Sequence, residues 1–153
     1  MGDNLKKVAV LMGSANDRPK MEPALRMLER FGILASEHVL SAHRTPGQVA
    51  DFASSARESG FGAIICGAGM AAHLAGVVAA HTTLPVIGVP LSGGAIGGVD
   101  ALYATVQMPS GIPVATVAID GAANAALLAI EMQAVFDQSL EEKLKEFRAN
   151  GAR

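Results

Sequence analysis

Near its amino terminus the chain contains the run Val8-Ala9-Val10-Leu11-Met12-Gly13, five apolar residues closed by a glycine. A continuous apolar run of this length is typical of a parallel β-strand that is covered on both faces. The polar residues Ser14-Ala15-Asn16-Asp17 follow, and apolar residues then recur at helical spacing as far as Gly32, a suitable residue to end a helix. The segment therefore predicts a strand, a short loop and a helix, which is the repeating unit of a parallel α/β sheet.

The same alternation continues along the chain. We predict further strands over residues 33–40, 61–66, 84–89 and 114–119, separated by helices within residues 48–59, 67–80 and 100–107. A helix over residues 122–136 is expected to continue through the charged segment 140–148 as one long C-terminal helix. Five strands on short crossovers predict a three-layer α/β/α sandwich, with a doubly wound parallel sheet of flavodoxin-like order. No linker or repeat divides the sequence, so residues 1–153 are interpreted as a single domain.

The composition indicates a compact protein with one hydrophobic core. The chain has 153 residues, of which 50% are apolar, and this length suits one domain. The net charge is -2, and the chain has no Trp and one Tyr, so it lacks the basic face and stacking aromatic residues of nucleic-acid-binding proteins. We therefore expect no nucleic-acid partner.

Cysteine usage and the amino terminus bear on the compartment. The single cysteine, Cys66, excludes an intrachain disulfide and a cysteine-rich metal site. It ends a predicted buried strand without a basic neighbour in sequence, so a small core residue is a better interpretation than a nucleophile. The polar residues 1–7 lead directly into the first strand, with no apolar signal segment before it. The expectation is a reducing compartment and hence a cytoplasmic location.

Residues 59–99 contain no Asp, Glu, Lys or Arg. Glycines and prolines interrupt this segment before any apolar stretch is long enough to cross a membrane, so we expect no membrane partner. We predict instead that the segment is buried. A monomer of this size buries only about 70% of its unfolded surface, so part of the segment is expected to face other copies of the chain. The sequence thus predicts a homo-oligomer.

The first candidate site is the loop Ser41-Ala42-His43-Arg44-Thr45-Pro46, between the second predicted strand and a helix. Thr45 is suited to cap that helix and Pro46 to begin it. Such loops lie where open α/β sheets bind ligands, and the helix amino terminus attracts anions. A lone histidine is most often a surface or structural residue, but Arg44 beside His43 favours anion binding next to a titratable group. The candidate phosphate-binding cations are Arg44, Arg18 and Lys20.

A second candidate site is Gly13-Ser14-Ala15-Asn16-Asp17, where the first strand is followed by a helix. Backbone N–H groups and the Ser14 hydroxyl can hold a phosphate there, and Asp17 can accept hydrogen bonds from ribose hydroxyls. The loop lacks the Gly-Lys-Ser/Thr ending of a P-loop. Ser14, Asn16 and Asp17 are equally suited to capping the helix, and the two roles can coexist.

The third candidate site is Gly67-Ala68-Gly69-Met70-Ala71-Ala72, which matches the dinucleotide-binding fingerprint in its alanine-ending form. The fingerprint also requires a carboxylate near the end of the next strand, where Gly88-Val89-Pro90 offers none. The glycines are therefore interpreted as positions that let the backbone approach a ligand. His73 follows them, either facing the same ligand or packed against a helix.

The histidines do not have the spacing of a metal site. The chain contains no His-Glu-x-x-His pair and no acidic triad near a histidine. We therefore predict no metal ion at His38, His43, His73 or His81.

Five segments together resemble the family of N5-carboxyaminoimidazole ribonucleotide mutases of purine biosynthesis. They are Gly13-Ser14-x-Asn16-Asp17, Ser41-Ala42-His43-Arg44-Thr45-Pro46, Gly67-Ala68-Gly69-x-Ala71-Ala72-His73-Leu74, Gln107-Met108-Pro109-x-Gly111-Ile112-Pro113 and Asn124-Ala125-Ala126-Leu127-Leu128. The resemblance spans nearly the whole chain. It implies a flavodoxin-like α/β/α sandwich that assembles as an octamer, with the active site in a cleft at subunit contacts.

The resemblance also implies a reaction. The substrate is a ribonucleotide bearing a carbamate, and its carboxylate moves from the exocyclic nitrogen to ring carbon C4 without metal, ATP or organic cofactor. His43 is the implied general acid and base, and His73 the second active-site histidine. A histidine suits this chemistry because it can give and then take a proton near neutral pH. The implied phosphate and ribose contacts are Ser14, Asp17, Ser41 and Arg44.

In the implied scheme, His43 protonates the carbamate nitrogen as carbon dioxide leaves, and removes the C4 proton after C4 has attacked the trapped carbon dioxide. Glycine loops around Gly67 and Gly93 are expected to exclude water and retain the carbon dioxide. Asn16, Gly69 and Met70 belong to the implied substrate-binding loops. The family often has Ser where Asn16 stands and Gly where Met70 stands, so substrate affinity or loop closure is expected to differ.

Two alternatives remain from the sequence. The related animal-type carboxylases add free carbon dioxide to aminoimidazole ribonucleotide, but they typically have Lys in place of Arg44 and lack the Ala71-Ala72-His73 sequence. A non-catalytic nucleotide- or flavin-binding module on the same fold is the second alternative. The chain lacks stacking aromatic residues for a flavin, and it has Cys66-Gly67 where a phosphorylated receiver needs Asp.

Overall fold

The computed structural model describes residues 6–153, so residues 1–5 of the predicted single domain, and most of its polar amino terminus, lie outside the described residues. Five strands form one parallel sheet in the order β2-β1-β3-β4-β5. Their bounds are Lys7–Met12 for β1, Ala35–Val39 for β2, Phe61–Gly69 for β3, Val86–Leu91 for β4 and Ala115–Thr116 for β5. The predicted doubly wound sheet of flavodoxin-like order is confirmed.

Helices connect successive strands and cover both faces of the sheet. Their bounds are Arg18–Phe31 for α1, Pro46–Ser55 for α2, Leu74–His81 for α3, Val99–Val106 for α4, Ala122–Ala134 for α5 and Gln138–Ala149 for α6. A single 3-10 turn, Ala15–Asp17, precedes α1. This turn leads directly into α1. Gly32, with φ 77°, caps the carboxyl end of α1, as the sequence predicted.

The core divides into two clusters, one on each face of the sheet. In β1, Val10 packs into the cluster formed with α1, α5 and α6, whereas Leu11 packs into the cluster formed with α2 and α3. Helix α4 lies on this second face as well, because Thr105 of α4 and Ala75 of α3 both approach Gly88 of β4. The predicted three layers follow from this alternation, since successive side chains of a strand point to opposite faces.

The third strand is longer than the sequence predicted. β3 continues to Gly69 instead of ending at Cys66. A Cβ at Gly67 would lie 2.2 Å from the Sδ atom of Met21 in α1, so the absence of a side chain lets that helix pack directly on the strand. The expectation that Gly67 opens a ligand loop is therefore wrong, because Met21 occupies the space beside it.

The fourth strand passes through a proline that was expected to end it. The Pro90 carbonyl accepts a hydrogen bond from the Asp120 N–H, on the β5 side of β4. The nitrogen and carbonyl of one residue point to the same side of a strand, so the missing N–H of Pro90 also faces β5. β5 pairs only with Ile87 and Gly88 and has ended at this level. Pro90 therefore removes no hydrogen bond between β4 and a neighbouring strand. The strand β5 itself, Ala115–Thr116, is shorter than the predicted strand over residues 114–119.

The prediction of one long C-terminal helix is wrong. The helix stops at Ala134, and a new helix begins after Asp137, whose side chain accepts a hydrogen bond from the Leu140 N–H at 3.0 Å. This cap lets the chain turn, so that α6 buries Leu140 and Phe147 against the core. The Phe147 ring meets the Phe31 ring edge to face, with centroids 5.6 Å apart. A straight helix would leave these side chains in water.

The topology creates one crevice at the carboxyl edge of the sheet. β1 and β3 are neighbours, but α1 leaves β1 on one face and α3 leaves β3 on the other. The chain segments that follow these two strands therefore diverge, and ligands of open α/β sheets bind at such switch points. Across residues 6–153, no helix is long and apolar enough to cross a membrane.

Candidate active site

A cleft of about 390 Å³ lies at this switch point. Three segments line it, each following the carboxyl end of one of the first three strands. They contribute Gly13, Ser14, Asn16 and Asp17 after β1, Ser41, Ala42, His43 and Arg44 after β2, and Ala68, Gly69, Met70, Ala71, His73 and Leu74 from the end of β3 onwards. The structure thus brings together the predicted catalytic and substrate-binding residues, but not the candidate cations Arg18 and Lys20 or the glycines Gly67 and Gly93.

Two histidines from different segments meet in the cleft. The Nε2 atom of His43 lies 2.7 Å from the Nδ1 atom of His73, and the two rings are nearly perpendicular, at 85°. His73 occupies the N-cap position of α3 with its side chain exposed, so the alternative of a histidine packed against a helix does not hold. One ring must donate and the other accept in this contact, so the pair holds a proton between two solvent-accessible imidazoles.

Hydrogen bonds within the loop fix its shape. The Ser41 Oγ accepts from the Arg44 N–H at 3.1 Å, and the Thr45 Oγ1 accepts from the Ser41 N–H at 3.0 Å and donates to the Ser41 carbonyl. Thr45 occupies the predicted N-cap position of α2 and Pro46 begins the helix, but the Thr45 side chain bonds within the loop and makes no capping hydrogen bond. The loop is held from inside, which leaves the His43 and Arg44 side chains exposed to a ligand.

The structure separates the three candidate phosphate-binding cations. The Arg18 Nε is paired with the Glu37 carboxylate at 2.8 Å, and the Lys20 Nζ donates to the Ser92 Oγ at 2.9 Å. Neither side chain lines the cleft, whereas Arg44 does. Within residues 6–153, Arg44 forms no ion pair. Its guanidinium is the cation best placed to meet an anionic ligand.

In the segment after β1, the Ser14 side chain makes a capping hydrogen bond and the Asp17 side chain does not. The Ser14 Oγ accepts from the Asn16 N–H at 3.2 Å and so caps the 3-10 turn. Asp17 stands at the N-cap position of α1, but its side chain makes no capping hydrogen bond. Burial raises the pKa of Asp17, against the opposing effects of the Ser14 backbone and the positive charge of Lys20. Asp17 is thus a partly desolvated carboxylate that lines the cleft.

Met70 forms the wall of the cleft next to Gly69. Its backbone lies in the left-handed region, with φ 49°, and its side chain is 59% exposed. This conformation favours glycine, which gives a physical reason for the glycine expected at this position from the family resemblance. A Cβ at Gly94 would lie 3.1 Å from the Met70 Cγ, so the glycine-rich loop after β4 lies directly against Met70.

Other chemically active side chains lie outside the cleft. Burial raises the pKa of the Cys66 thiol, which keeps it protonated, in agreement with the predicted core role. His38 contacts the Ser36 Oγ at 2.7 Å and packs against Phe52, and burial lowers its pKa in spite of the nearby Glu37 charge. Within residues 6–153, no three His, Cys, Asp or Glu side chains are grouped so that they could hold a metal ion.

Sequence reasoning missed one polar group outside the cleft, formed by Lys20, Ser92 and Asp120. The Ser92 N–H donates to the Asp120 carboxylate at 2.9 Å, and the Ser92 hydroxyl donates to its other oxygen. Burial raises the pKa of Asp120, but these two hydrogen bonds and the charge of Lys20 together lower it. The three residues are distant in sequence, and no local motif marks them.

The fold and the cleft define a flavodoxin-like α/β protein that can bind a small anionic ligand beside a pair of histidines. A family model described as AIR carboxylase matches residues 7–153, and the chain belongs to this family. The family resemblance found in the motifs is thus confirmed.

Several relatives are similar over most of the length of this chain. The N5-carboxyaminoimidazole ribonucleotide mutase of Pyrococcus abyssi is 51% identical over 144 residues, covering 94% of this chain and 83% of that protein. The mutase of Escherichia coli is 49% identical over 148 residues, covering 95% of this chain and 88% of that protein. The phosphoribosylaminoimidazole carboxylase of Saccharomyces cerevisiae is 49% identical over 92% of this chain, which matches only 24% of that longer protein.

A solved structure has the same architecture. The crystal structure of Treponema denticola PurE superposes with a TM-score of 0.86 at 29% identity, covering 95% of this chain and 90% of that chain. The similarity extends over the sheet and its flanking helices, so the whole described fold is that of the family.

Proposed function

We propose that the protein is an isomerase of de novo purine biosynthesis that converts N5-carboxyaminoimidazole ribonucleotide to 4-carboxy-5-aminoimidazole ribonucleotide. Relatives at about half identity carry the name of this mutase. The structural observation that carries the proposal is the His43–His73 pair, with 2.7 Å between ring nitrogens, in a cleft that also contains Arg44 and Asp17. The reaction needs one group that gives a proton and takes one back, and an imidazole does this near neutral pH.

Two segments of the cleft bind the nucleotide. Arg44 meets the phosphate through its guanidinium, which forms no ion pair within residues 6–153, assisted by the hydroxyls of Ser14 and Ser41. Asp17 accepts hydrogen bonds from the ribose hydroxyls, which compensates the carboxylate for its partial desolvation. Asn16 and Gly69 complete the wall around the sugar and the base. These contacts hold the imidazole ring of the substrate next to His43.

The chemistry begins with His43 as an acid. His43 protonates the carbamate nitrogen, the bond between nitrogen and the carboxyl carbon breaks, and carbon dioxide and a free amine result. Ring carbon C4 then attacks the carbon dioxide, and His43 removes the C4 proton to restore the aromatic ring. The proton that His43 gives stays on the amine, and the proton that His43 takes from C4 returns the imidazole to its starting state, so the two steps together need no net proton exchange with solvent. His73 is the hydrogen-bond partner of His43 and so shares the proton that lies between the two rings.

Carbon dioxide must remain in the cleft between the two steps. Met70 forms the wall of the cleft beside the histidines, and the glycine-rich loop of residues 92–98 lies against Met70 without lining the cleft itself. Exclusion of water also strengthens the electrostatic contacts with the substrate.

A carboxylase that takes free carbon dioxide is the second candidate, favoured by the family description and by the yeast relative's name. The discriminating assay supplies the carbamate in one reaction, and aminoimidazole ribonucleotide with bicarbonate and carbon dioxide in another. We expect efficient conversion of the carbamate. Efficient use of carbon dioxide alone would favour the carboxylase, and a tightly bound yellow chromophore without turnover would favour a flavin-binding module.

The active protein is proposed to be a homo-oligomer, with eight subunits as the family resemblance implies. An apolar stripe on α4 supports self-association, because Val99, Tyr103 and Val106 recur at helical spacing and are exposed. A cytoplasmic location is proposed for the same protein, on the strength of a single buried thiol and a substrate of central metabolism.

A further inference from the structure

Three side chains from three separate elements meet behind the wall of the cleft. Lys20 comes from α1, Ser92 directly follows β4, and Asp120 lies between β5 and α5. The Lys20 Nζ donates to the Ser92 carbonyl and, at 2.9 Å, to the Ser92 Oγ. Ser92 in turn donates through its backbone N–H and its hydroxyl to the two carboxylate oxygens of Asp120. Both charged residues thus form hydrogen bonds with one serine, through its backbone and its hydroxyl.

Ser92 is the first residue of the glycine-rich loop. At the other end of the loop, Gly98 is buried with φ 97°, and a Cβ there would lie 3.0 Å from the Ser92 Cα. The two ends of the loop are therefore in contact, and only glycine fits at this approach. Residues 93–97 between them are exposed. The position of the exposed part depends on how firmly Ser92 is held.

The exposed part of the loop reaches the cleft through one contact. Gly94 lies against the Met70 side chain, where a Cβ would come within 3.1 Å of the Met70 Cγ. Met70 lines the same cleft as His43 and His73. A chain of contacts thus runs from Lys20 and Asp120, through Ser92 and Gly94, to the wall beside the reacting groups.

We propose that Lys20, Ser92 and Asp120 form a positioning network that holds the glycine-rich loop against Met70 and so retains carbon dioxide in the cleft. The inference rests on the proposed mutase activity. Once the carbamate bond has broken, the released carbon dioxide either adds to C4, whose proton passes to His43, or escapes and is hydrated to bicarbonate. The network touches neither the substrate nor the histidines. The network changes the fraction of carbon dioxide that adds to C4 rather than escaping, and it leaves the proton transfers unchanged.

The test measures the fraction of released carbon dioxide that escapes instead of adding to C4. The carbamate is supplied in buffer containing ¹³C-bicarbonate, and the ¹³C content of the product and the amount of free aminoimidazole ribonucleotide are measured after subtraction of the uncatalysed breakdown. We expect Lys20→Met, Ser92→Ala and Asp120→Asn to raise both quantities relative to the parent. Asp120→Asn is chosen because Asn tolerates the left-handed backbone at this position, φ 58°. Lys20→Arg keeps a charged donor and should restore most of the parental ratio.

A matched control is Lys143→Met. Lys143 also donates to a backbone carbonyl, that of Phe31 at 3.2 Å, but it lies on α6 and does not line the cleft. This variant should keep the parental ratio even if it is less stable, because lower stability reduces the amount of active protein without changing how carbon dioxide divides.

Hydrogen exchange provides a readout that does not require turnover. Backbone amides of residues 92–98 should exchange about tenfold or more faster in Lys20→Met and Ser92→Ala, since a hydrogen bond to a charged group typically shifts a local equilibrium by that factor. Lys143→Met should leave these rates unchanged. Equal rates and equal ¹³C content in the parent and in the network variants overturn the inference while leaving the mutase proposal intact. A parent that fails to convert the carbamate overturns the proposed function and the retention role together, and the exchange rates then show separately whether the network holds the loop.

Discussion

The Nε2 atom of His43 and the Nδ1 atom of His73 lie 2.7 Å apart, although the residues belong to loops after different strands. A hydrogen bond needs one donor and one acceptor, so at most one of the two rings is an imidazolium while this contact exists. The pair therefore stores one transferable proton rather than two. A cycle in which one proton is given to the carbamate nitrogen and one is then taken from C4 never requires more than this capacity.

Replacing His43 should abolish turnover and keep binding. His43→Asn retains polarity and approximate reach, but it cannot change its protonation state near neutral pH. General acid–base catalysis typically contributes 10²–10⁴-fold, and both proton steps use this group, so we expect kcat to fall by about 10⁴-fold or more. Circular dichroism, oligomer mass and substrate affinity should be close to those of the parent.

The control for His43→Asn is His81→Asn, an exposed histidine at the end of α3 that does not line the cleft. It should keep parental turnover. If His43→Asn retains more than about a tenth of the parental rate, far above the 10²-fold minimum expected for a general acid, the loop after β2 is not the catalytic centre.

The two histidines should behave as one unit in a double-mutant cycle. His73→Ala removes the partner of the His43 Nε2 atom, so kcat should fall. The double variant should be no slower than His43→Asn alone, because the proton store is already lost in that variant. Rate losses that multiply would show instead that the residues act independently.

Arg44 should carry most of the phosphate binding. Arg44→Ala is expected to weaken ribonucleotide binding by about 1.5–3 kcal/mol, the usual range for a hydrogen bond to a charged group. Calorimetry measures this directly. Arg26→Ala serves as the control, since Arg26 is paired with Glu22 on an exposed face of α1. Unchanged affinity in Arg44→Ala, combined with a loss in Arg18→Ala, would assign the phosphate to Arg18.

Asp17→Asn should stabilise the ligand-free protein while weakening substrate binding. Burial raises the pKa of Asp17, so the native state binds this proton more tightly than the unfolded chain does. The ionised carboxylate therefore lowers stability at neutral pH, and the loss disappears as the pH falls through the raised pKa toward the ordinary carboxyl value of about 4.

Thermal unfolding across pH tests the sign of this effect. Asp17→Asn should have a higher Tm than the parent at pH 7, and the difference should shrink on acidification. Asp51→Asn, at an exposed position in α2, should show no such trend. A difference that grows on acidification would contradict the account of Asp17.

Self-association should depend on the exposed stripe of α4. The parent should scatter light as a species far above the 15.6 kDa of one chain. Tyr103→Glu places a charge in the stripe and should lower the assembly mass, whereas Tyr103→Phe should not, because burial of the ring is preserved. A soluble parental monomer at micromolar concentration would overturn both the predicted homo-oligomer and the proposed octamer.

The sheet and most of the cleft could be predicted because their signals are local. The apolar run beginning at Val8 and the strand over residues 61–66 each contain a complete strand pattern. The carboxyl ends of neighbouring parallel strands then bring Asp17, His43 and His73 to one edge, whatever the details of packing.

The remaining features depend on contacts between distant residues. Lys20 and Ser92 are separated by 72 positions, and β3 extends to Gly69 because its last residues pair with β4 as far as Leu91. The break between α5 and α6 has a different explanation, because it does not depend on distant residues. Asp137 is a good N-cap residue followed by a charged amphipathic segment, so a local signal for a new helix was present, but the continuous run of helix-forming residues on either side outweighed it.

Every residue that lines the cleft lies between Gly13 and Leu74, in the first half of the chain. The second half supplies the glycine-rich loop, the apolar stripe of α4 and the helices that cover one face. The reacting groups are therefore encoded in the first half alone, whereas the loop proposed to retain carbon dioxide comes from the second half and is held through Lys20 and Met70 of the first. Recombination at the end of α3 would transmit the acid and base intact, but it would keep carbon dioxide in the cleft only if the incoming loop still fits Lys20 and Met70.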